Sequence, residues 1–174
     1  PILCFMLYFN INAQISFSRF YDFNRDNEGG WKIIQAKDKF IIACGNLCDS
    51  NTVFCSGLLC FDKDWNLEWK KTLDSLPPLF FDFLVSDNEF IYCAVSTDSN
   101  YGQEFYLMKF DLEGNEIKKK YYGPLSNNTG FVSIIENNKG NFTIAGQRTY
   151  TNNTVSGTVY EINQNGDSIF SKEY

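Results

Sequence analysis

Four cysteines crowd one short stretch of the chain, Cys44, Cys48, Cys55 and Cys60. In an oxidising compartment a hairpin can join such residues by cross-strand disulfides. A turn centred on Asn51-Thr52 sets Cys44 across from Cys60 and Cys48 near Cys55, with a one-residue bulge reconciling the two registers. Cys48 with Cys55 is the better pair, and closing so short a loop stabilises by about 2 kcal/mol. The rival chemistry is a four-thiolate zinc site. The gaps of three, six and four residues lack the Cys-x2-Cys knuckle that usually opens one. The third reading is simply buried thiols. Cys93 suits that best, because its strand aligns it with the small residues Ala43 and Ala145.

The rest of the reactive inventory is thin. The chain has no histidine, which removes the commonest general base and a favoured metal ligand together. Asp111, Glu113 and the lysines 118 to 120 lie close together, as an acid–base site requires, but the same pattern recurs elsewhere and is better read as a turn. Asp98-Ser99-Asn100-Tyr101-Gly102 has the look of a calcium loop without the acidic residue at its far end. No catalytic constellation is visible and no cofactor is expected. The competing class is a secreted hydrolase whose active site lies in further repeats, with Asp82 or Asp87 contributing a carboxylate to a central channel.

The elements that carry these residues are strands. Asp62 to Asn66, Asp111 to Asn115 and Asn163 to Asp167 are like turns, spaced by 49 and 52 residues. Upstream of each lies an apolar strand opening on phenylalanine, at Phe40, Phe90 and Phe142, spaced by 50 and 52. Two landmarks with one period make a repeat. Gly114-Asn115 and Gly166-Asp167 supply the positive φ that tight hairpins demand, whereas Trp65 stands where glycine belongs and predicts a differently built first turn. Each unit holds four short strands, and no helical periodicity competes. The expected fold is all-β, with about three β-propeller-type blades of four antiparallel strands, an incomplete propeller. The blades span 31–73, 79–122 and 131–174. A lone strand at 15–22 resembles a fourth strand, and in a closed ring it would complete the last blade. The rival is an open stack of three units.

A chain of 174 residues, 44% apolar and 17% aromatic, is globular. Its net charge of −6 disfavours nucleic acid and anionic membranes as partners. Residues 1–14 are nearly all apolar, too short to span a bilayer as a helix, and match the hydrophobic and cleavage regions of a signal peptide. A buried first strand is the alternative. The loops between second and third strands vary most between units. Their polar and aromatic residues Asp49, Asp98, Asn100, Tyr101, Tyr150 and Asn152 are candidates for a shared ligand surface.

Lys109-Phe110-Asp111, Gly114-Asn115 and Lys118 to Tyr122, with Trp69 at the aromatic position after the first turn, resemble the repeats of secreted bacterial propeller proteins exported by the type IX secretion system. The resemblance covers residues 15–174, with Asn163 in place of the turn aspartate in the third unit and Trp65 in place of glycine in the first. It implies export to the medium or cell surface of a bacterium. It also implies a binding or scaffold role. The leading expectation is a non-catalytic module with a glycan or protein as ligand, and ring closure would make the remaining blades of the same chain its partners. Asp62 to Trp69 also resembles the tail of quinoprotein propeller repeats, but the Thr-Gly pair of that motif is absent from all three units.

Overall fold

The structure is a computed structural model. It describes residues 29–45, 56–73, 78–87, 89–97, 103–125, 133–149 and 154–174. The apolar segment 1–14 and the strand expected at 15–22 fall outside these residues. Among the described residues every regular element is a strand, and no helix is long and apolar enough to cross a membrane.

Blade 1 comprises β1 (Gly29–Ala36), β2 (Lys39–Gly45), β3 (Gly57–Phe61) and β4 (Leu67–Thr72). Blade 2 comprises β5 (Pro78–Ser86), β6 (Phe90–Thr97), β7 (Gln103–Asp111) and β8 (Glu116–Leu125). Blade 3 comprises β9 (Ser133–Glu136), β10 (Phe142–Thr149), β11 (Val155–Ile162) and β12 (Ser168–Glu173). Each blade is a separate four-stranded antiparallel meander. The blades stack face to face and do not close, so the architecture is that of an incomplete propeller.

The turn before each fourth strand is built by one side chain. Asp111 Oδ1 accepts the N–H groups of Glu113 and Asn115, and its Oδ2 accepts the Asn115 amide. Burial nudges the Asp111 carboxyl upward, but the hydrogen bonds from Asn115, Glu113 and Gly114 outweigh it and hold the group below its ordinary value. Asp62 makes the same bonds to Asp64 and Asn66. In blade 3 the pair is reversed, with Asn163 Oδ1 accepting from the Asp167 N–H and Asn163 Nδ2 donating to the Asp167 carboxylate. The first turn is therefore not built differently, as Trp65 had suggested. Trp65 adopts φ 63°, beside 81° at Gly114 and 76° at Gly166. Its ring stacks on Phe40 with centroids 4.5 Å apart and planes 7° apart, which offsets the left-handed backbone.

The cross-strand register also revises the expected alignment. Phe40 pairs with Phe61, Ile91 with Phe110, and Phe142 with Ile162, and each partner stands one residue before its turn. The counterpart of Phe40 in blade 2 is thus Ile91, not Phe90, and the second strands recur every 51 residues. A slip of one residue reverses the face of every side chain. Cys93 accordingly matches Ile42 and Ile144 rather than Ala43 and Ala145, and it points into the core between blades 1 and 2.

That core contains the fully buried Phe83, Tyr106 and Phe110 beside Ile41, Leu58 and Ile91. Burying each aromatic ring contributes about 2–3 kcal/mol. A second core of Tyr92, Phe105, Leu107, Ile134, Phe142 and Ile162 joins blades 2 and 3. On the far side of blade 3, Ile135, Val155 and Phe170 are exposed.

Cys44 and Cys60 are free thiols. Cys44 pairs with Gly57 and Cys60 with Ile41, and the two thiols lie in different cores on opposite faces of blade 1. The register corrects the proposed Cys44–Cys60 disulfide and removes both from a shared zinc site. Cys48 and Cys55 lie outside the described residues. Burial pushes the thiols of Cys44 and Cys60 up to about 12 and that of Cys93 higher still. Iodoacetamide at pH 8 is therefore expected to leave Cys44, Cys60 and Cys93 unmodified in the folded protein and to label all three in urea, as read by peptide mass spectrometry. Labelling of Cys93 at equal rates in both conditions would show that the first core is open to solvent.

Candidate ligand-binding cleft

The residues proposed from sequence as a loop surface, Asp49, Asp98, Asn100, Tyr101, Tyr150 and Asn152, all lie outside the described residues. The site that can be built rests instead on the junctions between blades, where one fourth strand meets the next blade's turn.

Alternate residues of β4 face blade 2, and the equivalent residues of β8 face blade 3. At the first junction Trp69 donates its indole N–H to the Leu112 carbonyl at 2.9 Å, and its ring packs over Gly114. Leu73 is buried in the same core. At the second junction Tyr122 donates its hydroxyl to the Gly166 carbonyl at 2.6 Å. Lys118 Nζ donates to the Asn165 carbonyl at 2.7 Å, and Lys120 Nζ pairs with the Asp167 carboxylate at 2.8 Å. The bond from Lys120 is the main reason the exposed Asp167 carboxyl sits below its ordinary value.

The two junctions differ at three matching positions. Where the first has Cys60, Trp69 and Leu112, the second has Lys109, Lys118 and Gln164. Cys60 and Leu112 are buried and Trp69 packs against them, so the first junction is filled. At the second a shallow surface cleft remains. Tyr92 and Leu107 form its floor, Lys109, Lys118 and Lys120 one wall, and Gln164, Asn165 and Gly166 the other. The Lys109 ammonium lies 3.8 Å from the centroid of Phe90 and 5.1 Å from that of Tyr92. The enclosed space is only about 10 Å³, room for one water, so a ligand here would lie across the rim of the depression rather than sink into it. Aligning the copies on their turns would have found it in the sequence, because all three replacements exchange apolar for polar at corresponding positions.

Asp82, the carboxylate that an enzyme reading would place in the channel, is fully engaged. Its Oδ1 accepts Lys32 Nζ at 2.6 Å, and its Oδ2 accepts the Ser133 hydroxyl and the Ile134 N–H, both at 3.0 Å. Lys32, Asp82 and Ser133 hold one position in the three innermost strands, pairing respectively with Ala43, Ala94 and Ala145. Asp87 lies in the turn after β5 at φ 54° and is exposed. Among the described residues, no three His, Cys, Asp or Glu side chains converge as metal ligands would.

Three stacked four-stranded meanders, joined by interblade latches, define the chain as an all-β protein of the open propeller type. No family model matches it, and no curated protein does. Among solved structures it is similar to a fucose lectin from Kordia zhangzhouensis in complex with methyl-fucoside, at a TM-score of 0.51 and 11% identity, covering 85% of this chain and 99% of that one. At that identity the likeness is one of fold.

Proposed function

We propose that the protein is a non-catalytic carbohydrate-binding module, exported to the medium or cell surface of a bacterium, with the cleft between blades 2 and 3 as its binding site. The observation that carries this reading is the exchange of Cys60, Trp69 and Leu112 for Lys109, Lys118 and Gln164 at matching positions. The fold packs well with the first set, so the polar set answers to something other than packing. Amides and ammoniums around an apolar floor fit a pyranose, which has a polar rim and an apolar face. The fold likeness to a lectin points the same way. Export, with the type IX system as its route, rests on the apolar segment 1–14 and on the repeat resemblance.

A glycan array followed by calorimetry on the hits is expected to give saturable binding, with every bound glycan recovered uncleaved. Lys118→Trp, which rebuilds the plug of the first junction, is expected to abolish that binding without lowering the melting temperature. An array with no binder, or binding untouched by Lys118→Trp, overturns the assignment.

A further inference from the structure

We propose that the cleft selects saccharides bearing an anionic group, a sulfate ester or a carboxylate, which Lys109 and Lys118 grip together. The inference rests on the carbohydrate reading and deepens it.

Lys109 and Lys118 stand directly opposite each other on β7 and β8. Like charges so placed repel, and nothing in the fold requires them, since the matching pair in blade 1 is Cys60 with Trp69. Lys120 lies beside them on the same face, in a protein whose net charge is −6. Among the described residues one carboxylate, Asp167, is in contact with this group: Lys120 bonds it directly, and Lys118 feels it at longer range. Lys118 donates to a neutral carbonyl, and Lys109 lies over the face of Phe90, which attracts a cation without neutralising it. Among the described residues, then, neither Lys109 nor Lys118 has a carboxylate in direct contact, and the nearby Asp167 charge that Lys118 feels is already bonded to Lys120. Each of the two facing ammoniums has N–H donors to spare, and an anion between them would turn mutual repulsion into a pair of charge-assisted hydrogen bonds. Tyr92 and Leu107 on the floor, with Gln164 and Asn165 opposite, supply what an inorganic anion would not use and a sugar ring would.

The test is calorimetry on the full chain at about 0.02 M and 0.2 M salt. The probes are a sulfated galactan tetrasaccharide, the same tetrasaccharide after desulfation, a tetragalacturonate and sodium sulfate. The sulfated or the uronate probe is expected to bind at least about tenfold more tightly than the desulfated one, and to weaken at the higher salt. Lys109→Gln and Lys118→Gln are each expected to lose about tenfold and to flatten the salt dependence, while Lys172→Gln, outside the cleft, changes neither. Equal binding of the sulfated and desulfated probes, unaffected by Lys109→Gln, overturns the anionic preference and leaves the carbohydrate reading standing. Sodium sulfate binding as tightly as any saccharide overturns the carbohydrate reading itself.

Discussion

Replacing Asp82 by alanine is expected to lower folding stability by about 2–3 kcal/mol, measured as a fall in the urea midpoint at unchanged slope. One carboxylate here ties together the innermost strands of all three blades, through Lys32 on β1, its own position on β5, and Ser133 and Ile134 on β9. A hydrogen bond to a charged group contributes roughly 1.5–3 kcal/mol, and the loss also leaves partners behind. The Ile134 N–H faces away from β10 and has no ladder partner to replace Asp82. The Lys32 side chain is 33% exposed and Asp82 16%, so water softens the loss of the ion pair and keeps the total below that of a fully buried one. Asp82→Asn retains an acceptor for Ser133 and Ile134 but drops the charge, and it is expected to lose about 1 kcal/mol. A change under about 0.5 kcal/mol for the alanine variant would mean that the interblade cores alone hold the inner strands.

That link was invisible in the sequence because it depends on which face each strand presents. The turns could be read directly. Asp62, Asp111 and Asn163 each bond the backbone two or four residues on, and that chemistry constrains residue type closely enough to repeat. The second strands carry no such marker. Phe40, Phe90 and Phe142 look alike, yet Phe90 pairs with Asp111 one step out of register, and the alternation of strands then sends every assigned side chain to the wrong face. The same difficulty misplaced Cys44 opposite Cys60, since hairpin register follows from pairing and not from where a turn is centred. Taken alone, the lysines of β8 carry no mark of a cleft. Only a comparison of Lys109, Lys118 and Gln164 with Cys60, Trp69 and Leu112 separates a cleft from an edge.

The third residue after each turn's opening Asp or Asn carries the second large expectation. Gly114→Ala is expected to cost about 3 kcal/mol. A Cβ there would sit 2.9 Å from Trp69 Cδ2 and within 3.2 Å of two further ring atoms, at φ +81°. The indole cannot retreat without breaking its bond to the Leu112 carbonyl and opening the first core, so backbone strain of about 1–2 kcal/mol adds to a packing loss of similar size. Gly166→Ala meets the Tyr122 hydroxyl at 3.0 Å and Lys120 Cδ at 3.3 Å, both near the ends of side chains, and is expected to cost about half as much. Gly157→Ala, with nothing within 4 Å, is the control and should be neutral within about 0.5 kcal/mol. At the first turn the sign depends on Trp65, whose ring lies against Phe40 and Phe61 on its own blade. Trp65→Gly would relieve about 1–2 kcal/mol of left-handed strain but lose the stacking and the cover over Cys44, Leu59 and Phe61, for a net loss of about 1 kcal/mol. Urea unfolding of the four variants checks the order. If Gly114→Ala proves no worse than Gly157→Ala, the close approach of Trp69 is not what joins blades 1 and 2, and the contrast between a plugged and an open junction loses its basis.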